Sequence, residues 1–259
     1  MMPQFRASLL VLGLVAAQTT RAQQATPPNL ADSAIRLITS AAIGGPAEVF
    51  EAPVAILDRL LAANPADGTA LHYKGYALYR KAAALSGDKA RKDEYKATLQ
   101  EAEKVLALAA RHGQWPETLA LQSAVVGQLI GVSGIFAIPR LGPRTNRLMD
   151  EAIAMAPGNP RVWLLKGILS IHKPKGFGGG LDNAERDLKK AIELFPADTV
   201  VAPRPAWGHA EAWAWLGSVH AGQKRIDEAR AAYLRALELQ PHFDWVRLHL
   251  LPALDGDTR

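Results

Sequence analysis

The chain has 259 residues, 49% of them hydrophobic, with 30 Lys and Arg against 25 Asp and Glu, seven His and no Cys. Its formal charge of +5 comes from interleaved acids and bases, as in ARKDEYKATLQEAEK and DNAERDLKKAIE, which describes solvated helix faces and argues against a nucleic-acid-binding surface. Without cysteine there is no disulfide, no thiol nucleophile and no lipid-modified cysteine, and the length supports one elongated helical domain.

Residues 1–22 have the pattern of an export signal. Arg6 gives a positive start, ASLLVLGLVAA an apolar stretch too short to span a bilayer, and Thr20, Arg21 and Ala22 a small-residue cleavage site before Gln23. Polar, Pro-containing QQATPPN follows, which predicts a flexible linker over 23–29, a helical domain over 30–252 and a disordered tail over 253–259. The mature chain is expected in the periplasm or secreted, with no membrane span.

Helix pairs then follow in order. Ile35 to Ala41 and Val54 to Pro65 form a first, poorly patterned pair. Leu71, Gly75 and Leu78 on one helix, with Ala102, Leu106 and Ala109 on the next, form a second. A degenerate pair has Ala120 and Ala124, then Met149, Ala152 and Pro157. A better one has Trp163 and Gly167, then Ala184, Leu188, Ala191 and Pro196. The last is the sharpest: Trp213, Leu216 and Gly217, then Ala229, Tyr233, Ala236 and Pro241. Small Gly217 and Ala229 let the two helices approach, Trp213, Leu216 and Tyr233 fill the crossing, and Pro241 ends the unit. In PHFDWVRLHLLPAL, Trp245, Leu248 and Leu251 recur at helical spacing and suit a cap, leaving Asp244 and Arg247 to water.

The spacing Trp, Leu-Gly, Ala, aromatic, Ala, Pro resembles the tetratricopeptide repeat. The resemblance implies an all-α, right-handed solenoid of antiparallel helix pairs, about four to five repeats, some degenerate, closed by a C-terminal capping helix. More widely, LGPRTNRLMDEAIAMAPGNPRVWLLKG, GFGGGLDNAERDLKKAIELFP and PAWGHAEAWAWLG resemble a group of exported bacterial tetratricopeptide proteins. They are also distantly similar to the helical periplasmic component of tripartite transporters for organic acids or hydrophobic ligands.

Two insertions interrupt the pairs. HKPKGFGGGLDNAERD places Lys173 and Lys175 beside Gly176, Gly178, Gly179 and Gly180, with Asp182 expected to cap the helix from Asn183. It reads either as an anion-holding loop at a helix start or as a tight turn needing positive φ. GVSGIFAIPRLGPRTNR is apolar where a loop is usually polar: Ile135, Phe136 and Ile138 either tuck into a neighbouring repeat or dock a partner or membrane surface, with Arg140, Arg144 and Arg147 close by.

The sequence has no His-Glu-x-x-His helix and no Gly-x-Ser-x-Gly elbow, and its dispersed histidines, His242 and His249 among them, offer no set of metal ligands, so neither an enzyme nor a cofactor is expected. The resemblance places the working surface on the concave side, lined by first-helix residues of each pair. Those are His72, Tyr76, Tyr79 and Arg80; Leu121, Val125 and Gln128; Arg161, Leu164, Ile168 and His172; and Glu211, Ala214 and Ser218. The clustered Lys, Asn and Arg that grip a C-terminal carboxylate in some repeat proteins are missing from this stripe. An aromatic and aliphatic stripe suits a protein or peptide partner, as in a scaffold or adaptor, or an apolar small molecule, as in a transport accessory. Alternatively, the chain itself or a second subunit of a homo-oligomer covers it.

Overall fold

The computed structural model describes residues 30–41, 45–113 and 115–256. The expected leader and linker, and residues 257–259 of the expected tail, lie outside the described residues. All regular elements among the described residues are helical. A front pair, α1 (Leu30–Ser40) and α2 (Glu51–Ala63), precedes α3 (Gly68–Leu85) with α4 (Lys92–His112) and α5 (Pro116–Ser133) with α6 (Ile138–Met155). Then come α7 (Pro160–His172) with α8 (Leu181–Leu194) and α9 (His209–Gly222) with α10 (Ile226–Leu239). A π-helical turn, Trp245–Leu250, leads into α11 (Leu251–Gly256).

Local chemistry sets the helix starts. The Asp67 carboxylate accepts from the Ala70 N–H at 3.0 Å and opens α3. Pro116 and Pro160 stand in the first turns of α5 and α7, where a missing N–H costs nothing. Asn159 caps α7 and also donates to Glu117 Oε1 at 2.7 Å, so the starts of α5 and α7 are tied side by side.

Within pairs, one glycine position recurs. A Cβ at Gly75 would enter the Leu106 side chain, one at Gly167 would lie 2.6 Å from Leu188 Cγ, and one at Gly217 would enter the Tyr233 ring. Three first helices therefore press bare backbone against a large residue of their partners, which is what the repeat spacing encodes. One cluster of buried apolar residues runs from α1 into α9, and a second lies beneath the C-terminal cap. Stacked pairs thus supply one another's core.

The structure departs from the expected elements in three places. The apolar insertion is mostly helix: α5 continues to Ser133, and α6 begins at Ile138, burying Leu141, Thr145, Leu148, Met149 and Ala152 along one face. In the cap, the π turn rotates the helix, so Phe243, Val246 and Leu254 are buried while Leu248 is 52% exposed. α11 runs to Gly256, so the helical domain extends past residue 252 into the expected tail.

Candidate functional site

The residues expected to line an open groove are mostly interior. His72, Tyr76, Leu121, Val125, Arg161 and Leu164 are at most 2% exposed, and Tyr79, Arg80 and Ile168 are buried as well. Part of this face is covered by the chain itself. The 14 residues that join α8 to α9 include the segment 198–208, which crosses the inner side of the array to reach α3.

Three contacts hold this segment. Arg161 Nη2 on α7 donates to Asp198 at 2.5 Å. The Tyr73 hydroxyl on α3 donates to the Pro203 carbonyl at 2.9 Å. The Trp207 ring stacks on Tyr76, with centroids 4.6 Å apart and planes 10° apart. Between the outer two contacts a turn, closed by Arg204 N–H on the Val201 carbonyl, stays in solvent, with Val201 72% exposed. Gly208 follows at φ 111°, where a Cβ would meet Leu164 and Phe195, and it opens α9 without a side-chain cap.

Beside the segment remains a cavity of about 470 Å³, with Tyr76, Arg80, Arg161, Trp207, His209 and Glu211 in its wall. Two buried ion pairs face it. Arg80 Nη1 donates to Glu211 Oε1 at 3.2 Å and to the Tyr76 hydroxyl at 2.9 Å, while its Nη2 reaches the Ala41 carbonyl. Arg161 gives Nη2 to Asp198, but its Nε and Nη1 have no hydrogen-bond partner, nor does the buried Trp207 Nε1. Burial raises the Glu211 carboxyl above the ordinary carboxylate range, against the pull of Arg80. Burial likewise pushes the Tyr76 and Tyr79 hydroxyls up. Guanidinium groups, aromatic faces and free helix N–H groups at the start of α9 together form a wall able to receive a carboxylate or a peptide carbonyl.

Tyr76, Arg80, Arg161 and Glu211 are therefore brought to one cavity from α3, α7 and α9. Leu121, Val125, Leu164 and Ile168 instead belong to the core. Gln128 accepts from Tyr95 of α4, Ser218 bonds within α9 and to Tyr233 of α10, and exposed His172 ends α7. His72 faces α5, its Nδ1 2.8 Å from Thr118 Oγ1, and burial lowers its pKa to about 3. Trp207, Asp198 and Phe195 escaped the sequence reading. Their signal was the Pro-rich APRPAWG run just ahead of the sharpest repeat, within an unusually long connection.

Three glycine amides of the loop are already engaged by backbone carbonyls. The N–H groups of Gly178, Gly179 and Gly180 donate to Lys175, Pro174 and Ser170 carbonyls, Lys173 bonds Asn146 at 2.6 Å, and Lys175 faces Asp182 at 3.5 Å. Gly178 and Gly180 have φ of 85° and 97°. Gly180, not Asp182, is the residue before α8, which starts at Leu181. In the other connection Phe136 is not tucked; it is 92% exposed.

Residues 210–243 match the tetratricopeptide repeat family. Among solved structures, the chain is similar to the HusA haemophore from Porphyromonas gingivalis, with a TM-score of 0.60 and 24% identity, covering 75% of this chain and 94% of that one. It is also similar to TTC0263, a thermophilic tetratricopeptide protein in Thermus thermophilus, with a TM-score of 0.47 and 20% identity over 87% of this chain and 97% of that one. At these identities the likeness is one of fold. No curated protein matches the chain significantly in sequence.

Proposed function

We propose that this chain, which carries a tetratricopeptide repeat over residues 210–243, is an exported scaffold or adaptor that holds an extended segment of a protein partner on its inner face. The observation that carries this reading is that the face already grips an irregular segment, residues 198–208, through a backbone carbonyl, an aromatic stack and an ion pair. A hydroxyl donor, an aromatic face and a guanidinium can engage a peptide of any chain in the same way. In the free protein the chain's own segment occupies the face, and the partner's segment enters over the adjoining cavity. Export rests on the charged, apolar and small-residue pattern of residues 1–22.

A photo-crosslinker in place of Leu239, which lines the cavity and is 44% exposed, tests the reading in the source cells. One protein should be captured, and Trp207→Ala, which loosens the covering segment, should increase its yield. Capture from Leu108 on α4 with none from Leu239 would place the partner elsewhere and overturn the proposal.

The cavity itself favours a second reading. A space of about 470 Å³ walled by Arg80, Arg161 and aromatic rings has the size and polarity to hold a small organic acid, as a ligand-binding accessory of periplasmic transport would. The apolar-ligand form of that reading loses its support, because the aliphatic stripe is core. HusA, which is similar in fold, is described as a haemophore. Native mass spectrometry of gently purified protein separates the two readings. A mass excess of small-molecule size favours the second, and a clean apo mass favours the first.

A further inference from the structure

The outer edge of the array carries a feature that the inner face does not explain. Helices α5 and α7 run side by side in the same direction. Asn159 joins their starts through Glu117, and a Cβ on Gly127 would lie 2.5 Å from Leu169 Cδ1 near their ends. Their ends therefore emerge on one edge, and each is followed by a single 3-10 turn, Ile135–Ala137 and Lys175–Phe177. Each turn carries a phenylalanine out into solvent: Phe136 is 92% exposed and Phe177 58%.

The two connections themselves carry charge of one sign, although Asp182 lies beside Lys175 and Asp150 lies near Lys173. Residues 131–140 and 172–181 contain Arg140, Lys173 and Lys175 and not one Asp or Glu. The nearest carboxylate in sequence is Asp182, opposite Lys175. Lys173 donates to Asn146 of α6, which ties the second connection to the helix that follows the first.

We propose that this edge docks on an anionic phospholipid surface, with Phe136 and Phe177 entering the headgroup layer and Arg140, Lys173 and Lys175 facing the lipid phosphates. Paired aromatic and basic side chains are the requirements of interfacial binding. A lipid surface fits this edge better than a protein partner does. A protein interface of ordinary size needs about 800 Å² per partner around an apolar centre. Two single aromatic tips on separate Gly-flanked turns do not form such a centre, whereas a fluid bilayer accepts each tip independently. No helix among the described residues is long and apolar enough to cross a membrane, so the contact is peripheral.

Co-sedimentation of the full chain with vesicles tests this, using phosphatidylethanolamine with phosphatidylglycerol against phosphatidylcholine alone. The wild type should bind the anionic vesicles. Phe136→Ser with Phe177→Ser should weaken binding by about tenfold or more, and Arg140→Gln, Lys173→Gln and Lys175→Gln together should erase the preference for anionic lipid. Residues 1–29 are common to every variant, so any contribution from them cancels in these comparisons. Because the chain has no cysteine, Phe136→Cys takes a polarity-sensitive dye cleanly, and its emission should shift blue on anionic vesicles. The same dye at Leu248→Cys, on the C-terminal cap, should not respond. Circular dichroism establishes that each variant is folded. Absence of vesicle binding, or binding that ignores the phenylalanine pair, overturns the proposal. A dye at residue 136 that responds to a soluble protein and not to vesicles overturns it in favour of a protein partner.

Discussion

Arg80 and Glu211 are 131 residues apart in sequence and 3.2 Å apart in the fold, joining α3 to the start of α9. Both are nearly buried, with side chains 8% and 15% exposed. The pair shows that the array curls until an early helix and a late one share one interior, and that the cavity is closed by contacts spanning most of the domain.

Breaking this pair should cost more from one side than from the other. Arg80→Met leaves the Glu211 carboxylate buried without its cation and also removes bonds to Tyr76 and Ala41, for a loss of about 3–5 kcal/mol. Glu211→Gln is expected to cost less, since burial penalises the charged carboxylate and an amide oxygen can still accept from Arg80. Urea unfolding of both single variants and the double variant measures the difference and the coupling.

The segment 198–208 should be held mainly by its aromatic end. Trp207→Ala removes the stack on Tyr76 and leaves a void, costing about 3 kcal/mol, and should open Val200–Val201 to proteinase K well before the helices are cut. Tyr73→Phe, which removes only the bond to the Pro203 carbonyl, should cost about 1 kcal/mol and leave the cleavage pattern nearly unchanged.

The glycines at helix crossings should be intolerant where other glycines are not. Gly217→Ala drives a methyl group into the Tyr233 ring and should destabilise by about 1–3 kcal/mol. Gly131→Ala lies in α5 with nothing within 4 Å of its new Cβ, and should stabilise by about 0.5–1 kcal/mol through helix propensity. Thermal or urea unfolding of the two variants distinguishes these opposite signs.

Acid should destabilise the fold through His72. Its pKa falls from 6.5 to about 3 on burial, so the unfolded chain binds the proton first. The contribution is intact above pH 6.5 and is lost progressively as the pH falls towards 3. Between pH 7.5 and pH 5 this amounts to about 2 kcal/mol. His172, His209 and His220 are lowered too, so the slope specific to His72 is read as the part of the pH dependence that His72→Gln removes.

The helix pairs were legible in the sequence because their determinants are local. Trp213, Gly217, Ala229 and Tyr233 meet within one pair, so their spacing along the chain records their meeting in space. Pro116 and Pro160 likewise mark helix starts on their own. The cap was harder to read: one π turn at Trp245–Leu250 rotates every later side chain, and regular periodicity does not encode it.

Whether the face formed by the first helices was open or covered depended on a connection rather than on a repeat. By itself the sequence determined the repeating helix pairs and the glycine at each close crossing, since these depend on neighbours a few turns away. Only the tertiary structure decided that Trp207 lies on Tyr76, that Arg161 holds Asp198 and that a cavity remains between Arg80 and Glu211. Those contacts depend on the curvature accumulated over successive pairs, a quantity that no local spacing of residues records.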